Sequence, residues 1–165
     1  MKKILCLLLL TGLLTINSSA FSLSSEGQYI PLDITYDQLM LNLENEFNMV
    51  EASSVSGNPR YMGATNSKSM SIEIIGDKKN ICFVNLLIST EPHKQFLSDL
   101  LVSLVLIHNT NPNHWSGEEN INQLVDAIGR AFQTENDQIL IVEKIQITFS
   151  SFPALKLLLI NIQHV

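Results

Sequence analysis

Two histidines and a tryptophan form the group of side chains best suited to chemistry. His108 and His114 lie six residues apart on either side of an Asn-rich segment, and Trp115 follows His114 directly. Imidazole nitrogens bind metal ions, but a metal centre needs further donors, and only Asn side chains or distant carboxylates are on offer. A polar loop whose Asn side chains complete turns and helix ends is the simpler interpretation. We therefore predict no metal ligands, and keep a small hydrolase or metal-dependent enzyme built around the two histidines as an alternative.

Neither pair of neighbouring carboxylates has the features of an acid–base pair. Glu118 and Glu119 fall in the first turn of a predicted helix, where capping and the helix dipole favour acidic residues. Glu44 and Glu46 are two residues apart on another predicted helix and so do not share a face. The sequence also has no nucleophile elbow, no phosphate-binding glycine loop and no zinc-protease helix motif. We predict no catalytic residue and no cofactor.

The most distinctive polar segment, Asn58–Gly63, contains Arg60, Tyr61 and Met62. Arginine and tyrosine are the residue types that anchor binding patches when they are exposed. A hairpin turn with the tyrosine packed on a sheet explains the same residues without a ligand. We keep these three residues as a candidate contact site for a partner or ligand.

Two segments are more apolar than a sheet covered on one side requires. Residues 100–107 read LLVSLVLI, and residues 155–162 read LKLLLINI. Full burial of a central helix and an interior strand is one explanation. The other is that part of the surplus lines a homodimer interface or an apolar pocket between helices and sheet. The candidate residues for such a pocket or interface are Leu101, Leu104, Val105, Leu158 and Ile160.

The N-terminus has the layout of a secretory signal peptide. Lys2 and Lys3 precede the apolar run Ile4–Leu14, and small residues up to Ala20 suit a cleavage site after that residue. The 11-residue run is shorter than the ~20 residues that span a bilayer, so we predict no stable membrane anchor. The short leader with two lysines suggests a bacterial protein. We therefore expect export, to the periplasm or the medium.

Charge and cysteine content limit the partners. The chain has 10 basic and 16 acidic residues and a net charge of −6, and loss of the two leader lysines leaves eight basic residues and −8. So few basic residues argue against nucleic-acid binding. Outside the leader the only cysteine is Cys82, within an apolar run, so no intramolecular disulfide forms and the thiol is predicted to be a buried hydrophobe.

The first predicted helix begins after a loose Ser-rich segment, 21–34. Thr35 and Gln38 have capping-box spacing, and apolar residues then recur every three or four positions. The stripe consists of Tyr36, Leu39, Met40, Leu43, Phe47 and Val50.

Turn residues divide the rest of the chain into further elements. A second helix is predicted from about Pro92 to the loop at His108, and a third from a Ser116/Glu119 capping box to about Gln133. The predicted strands cover approximately 49–55, 60–66, 69–75, 81–89, 138–149 and 155–163.

This order, α-β-β-β-β-α-α-β-β, predicts an α+β fold. Hairpin connections imply antiparallel pairing of about six strands, and three helices cover one face, giving a two-layer sandwich over 35–165 as one domain. Without catalytic residues, we expect a non-catalytic module that binds a protein partner or itself. A carrier of a small apolar ligand between helices and sheet is the alternative from another class.

Overall fold

One antiparallel sheet of seven strands forms the framework of the protein. The computed structural model describes residues 29–91, 95–134 and 136–165. The predicted signal peptide, and the lead-in up to residue 28, lie outside these ranges. The strands are β1 Phe47–Val55, β2 Asn58–Thr65, β3 Met70–Asp77, β4 Asn80–Ser89, β5 Gln138–Val142, β6 Ile145–Phe152 and β7 Leu157–His164.

Four α-helices lie within the described ranges, one more than expected, and the sheet has seven strands where about six were expected. The predicted α+β class and antiparallel sheet are confirmed. The helices are α1 Tyr36–Leu39, α2 Phe96–Thr110, α3 Pro112–Trp115 and α4 Glu118–Thr134. A 3₁₀ turn, Pro153–Leu155, joins β6 to β7.

The strand order places the last strand inside the sheet. The order is β1-β2-β3-β4-β7-β6-β5, so β7 pairs with both β4 and β6, and β1 and β5 form the two edges. Side chains alternate between the two faces of the sheet. We call the face that packs against the helices the core face and the opposite one the second face.

The core lies between the core face and the helices. Strands contribute alternate aliphatic and aromatic residues, and α2 and α4 contribute one stripe each. Among its members are Ile74, Leu86, Phe149, Leu158, Ile160, Leu106, Ile107, Leu124 and Ala127.

The first predicted helix is wrong beyond its first turn. Thr35 does cap α1, since its hydroxyl accepts from the Gln38 backbone N–H at 3.1 Å. The helix nevertheless ends at Leu39, Asn42 has a φ of 65°, and β1 begins at Phe47. Cross-strand hydrogen bonds with β2 replace those of a helix. The helical stripe therefore identified four buried residues, a partly buried Tyr36 and an exposed Val50, but not their secondary structure.

The predicted strand 138–149 is two strands. A two-residue turn at 143–144 separates β5 from β6, and Glu143 there has a φ of 55°. Non-glycine residues rarely adopt this conformation, and the turn contains neither glycine nor proline. The turn signal that would have divided the strand is absent from the sequence.

The helix boundaries also differ from prediction. The structure begins α2 at Phe96, and Pro92 lies outside the described residues. The helix continues past His108 to Thr110 and α3 begins at Pro112, so the two helices together replace the predicted loop except for Asn111. Ser116 donates its hydroxyl to the Asn113 carbonyl at 3.0 Å, so this hydroxyl serves the end of α3.

Candidate functional site

The side of α2 that faces away from the sheet is apolar and exposed. Leu97 is 72% exposed, Leu101 63% and Val105 38%, and Leu104 beside them is half-buried. We call these four residues the outer α2 face. A helix that is apolar on all sides is normally buried on all sides. Here the inner side contributes to the core and the outer side is uncovered.

Charged side chains are almost absent from this helix. Asp99 is its one acidic residue, and that side chain is 3% exposed, on the buried side. His108 is exposed at the end of the helix and is the single basic residue of α2. The outer α2 face therefore presents branched aliphatic groups without a formal charge among them.

Contacts at both ends hold α2 in place. At its start, the Phe96 and Phe132 rings meet edge to face with centroids 6.2 Å apart, which places α4 beside α2. At its end, the Asn109 amide donates to the carbonyls of Leu39 at 3.0 Å and Leu41 at 2.9 Å. The Gln38 amide returns a bond of 3.1 Å to the Asn109 carbonyl. The outer α2 face is thus carried by a fixed helix.

The helix α4 also carries exposed apolar side chains. Ile121 is 42% exposed and Val125 50% exposed. Helical spacing puts both on the same flank of α4 as Phe132, which contacts α2 through Phe96. These two residues and Leu97 were not among the predicted interface residues. The four-residue step from Leu97 to Leu101 was the available signal.

The other predicted interface residues lie in the core. Leu158 and Ile160 of β7 are fully buried on the core face. They are therefore separated from Leu101 and Val105, and the five predicted residues do not form one surface.

The three residues of the predicted contact site point to different faces of β2. Arg60 and Met62 lie on the second face, and the Arg60 Nε is 2.6 Å from Glu73 Oε1. Tyr61 lies on the core face, where the centroids of its ring and the Tyr36 ring are 5.4 Å apart. The Lys78 ammonium lies 5.9 Å from the centroid of the Tyr61 ring. These residues form two separate sets of contacts.

Asn side chains in the segment between the histidines complete helix ends. Asn111 caps α3 by accepting from the His114 backbone N–H at 3.2 Å. The His114 ring lies edge-on to Trp115, with centroids 4.7 Å apart. Within the described ranges, no three side chains of metal-binding type come together.

Cys82 is a free, buried thiol on β4. Burial, and to a smaller extent the nearby Asp77 carboxylate, raise the pKa of this thiol above its ordinary value. A raised pKa leaves less of the reactive thiolate at neutral pH. The residue therefore has the character of a packing residue.

Comparisons with protein-family models, curated proteins and solved structures gave no match to this chain. No helix in the described part of the chain is both long enough and apolar enough to cross a membrane. Its function has to be inferred from its own surfaces.

Proposed function

We propose that this protein is a non-catalytic protein-interaction module that docks through the outer α2 face. The observation that carries the proposal is the exposure of Leu97 and Leu101, at 72% and 63%, on a helix whose opposite side is core. Contiguous exposed apolar surface on a folded domain is typical of an interaction site, because leaving it in water is unfavourable.

The first occupant we propose is the same helix of a second copy. Leu97, Leu101, Leu104 and His108 recur at steps of four, three and four, the spacing of a seam between two packed helices. A two-fold interface brings one patch against itself, so the patch must tolerate its own charge. The outer α2 face meets this condition because it carries no carboxylate, although the chain as a whole is acidic.

The size of the patch indicates weak pairing. With 15 residues, α2 is about 22 Å long at ~1.5 Å per residue. A pair of such helices buries less than the ~1,600 Å² of a standard interface. We expect a dimer with a dissociation constant in the micromolar range. Such a weakly bound second copy can be displaced by the helix of a partner protein.

Sedimentation velocity over a concentration series of the full chain tests this proposal. Wild-type protein should dimerise, and Leu101→Glu should shift the monomer–dimer equilibrium at least tenfold towards monomer by burying a carboxylate in the seam. Leu155→Glu is the matched control, since Leu155 is 48% exposed but lies in the 3₁₀ turn. Wild-type protein that stays monomeric at about 100 μM, many times a micromolar dissociation constant, contradicts self-association. Equal effects of the two variants contradict the site.

A further inference from the structure

The edge strand β5 has a backbone edge open to pairing. It pairs with β6 alone and is the last strand in the sheet order. Over the described ranges no strand lies on its other side. An uncovered strand edge presents backbone donors and acceptors that only another extended chain can match in register.

The hairpin geometry identifies the outward-pointing groups. A two-residue turn makes Val142 and Ile145 the closing hydrogen-bonded pair. The Lys144 carbonyl accepts from the Val165 backbone N–H at 2.8 Å, so residue 144 is bonded towards the β7 side. Alternation along β6 then directs the N–H and C=O of Ile145 towards β5.

The same alternation assigns Ile139 and Ile141 to the non-hydrogen-bonded positions of the hairpin. Their N–H and C=O groups therefore point away from β6, giving two donors and two acceptors on the free edge. Their side chains lie on the second face and are 55% and 59% exposed, while Leu140 between them packs against the core. The edge thus combines four backbone groups with two apolar side chains.

The opposite edge, β1, carries features that discourage pairing. It contains the charged Glu51 and the polar Ser53 and Ser54, and its register shifts between Ala52 and Val55. Charges and bulges on an edge are the usual means by which proteins prevent strand addition. Strand β5, with the sequence QILIV, has neither a charge nor a bulge.

Charge around β5 indicates which strand fits. Asp137 precedes the strand, Glu143 follows it with Lys144 beside it in the turn, and all three are exposed. Antiparallel pairing of two copies about Leu140 would bring Asp137 of one near Glu143 of the other, an unfavourable contact between like charges. A strand with basic residues near both ends would instead be attracted.

We propose that β5 binds an extended peptide segment by strand addition, with apolar residues at two alternate positions opposite Ile141 and Ile139 and Lys or Arg near each end. Each apolar residue exchanges two backbone hydrogen bonds with its opposite isoleucine. The proposal concerns a surface separate from the outer α2 face and holds whether or not α2 pairs.

A synthetic peptide, Lys-Thr-Ile-Thr-Ile-Thr-Lys, tests the proposal by titration into the ¹⁵N-labelled full chain. Saturable amide shifts should concentrate at Ile139 and Ile141. N-methylation of the third peptide residue removes a donor facing β5 and should weaken binding about tenfold. N-methylation of the fourth, which faces away, is the matched control and should change affinity less than about twofold. Equal affinities for the two methylated peptides overturn the proposal.

Charge exchange supplies a second readout. Asp137→Lys combined with Glu143→Lys should weaken the Lys-ended peptide about threefold or more and favour a Glu-ended peptide. Leu101→Glu should leave peptide binding unchanged, so that a failure of α2 pairing can be distinguished from a failure of strand addition at β5. Shifts that map to β1 or α2 overturn the proposal, as does the absence of shifts at millimolar peptide. Concentration-dependent β5 shifts without peptide overturn it in favour of a second copy.

Discussion

The apolar segments 100–107 of α2 and 155–162, which includes most of β7, are both rich in aliphatic residues but have opposite surroundings. In β7, Leu158, Ile160 and Ile162 are fully buried on the core face, and Leu159 behind them is 9% exposed. In α2, Leu101 is 63% exposed. A strand inside a sheet is flanked by two neighbours and can be buried on both faces, whereas a helix lying on a sheet can bury only one side. The additional apolar residues are therefore buried in β7 and exposed in α2.

The largest expected effect on stability comes from truncating a buried side chain of β7. Ile160→Ala should lower the free energy of unfolding by about 2–5 kcal/mol, because it opens a cavity in the core. Leu101→Ala should change it by less than about 0.5 kcal/mol. Urea denaturation at low protein concentration measures both, and equal losses for the two variants would break the comparison.

The two sides of α2 should also differ. Asn109→Ala removes the donors to the Leu39 and Leu41 carbonyls and should cost about 1–3 kcal/mol of unfolding free energy. His108→Ala, on the adjacent exposed residue, is the control and should be nearly neutral. Thermal unfolding compares them, and a neutral Asn109→Ala would mean that α2 is positioned by other contacts.

Buried and exposed positions should also differ in what an ion pair contributes to stability. Arg60 and Glu73 are 20% and 13% exposed, while Lys156 and Glu91 are 58% and 62% exposed and 3.1 Å apart. Arg60→Met leaves a mostly covered carboxylate without its partner and should cost about 1–2 kcal/mol. Lys156→Met should cost less than about 0.5 kcal/mol. Chemical denaturation of both variants checks the difference, and similar costs would contradict it.

The smallest expected effect appears at alkaline pH. Burial, followed by Tyr61 and Asp37, raises the pKa of Tyr36 above its ordinary value of 10.0. The folded state then holds the phenolic proton more tightly than the unfolded state, so this contribution to stability is complete below about pH 9 and is lost as pH rises through the folded pKa. Urea midpoints between pH 8 and 11 should fall less for Tyr36→Phe than for wild type. Identical slopes would exclude a role for Tyr36.

Local patterns predicted the fold where local and tertiary preferences agree. Strands β2 to β4 and the helix α4 were predicted within a few residues, because β-branched runs, turn residues and helical spacing coincide there. From Phe47 to Val50 the two preferences conflict, and pairing with β2 prevails over helical spacing. For the candidate site, sequence identified Leu101, Leu104 and Val105 together with two core residues, and it omitted Leu97.

The sequence by itself determined the α+β class, the antiparallel sheet and the presence of more apolar residues than one covered face requires. Only the tertiary structure decided where that surplus lies, because β7 enters the sheet between β4 and β6 while α2 lies on its surface. It also decided that β5 is an edge and that Arg60 faces Glu73. Periodicity records which residues favour burial, but strand order and neighbouring elements determine which of them are covered.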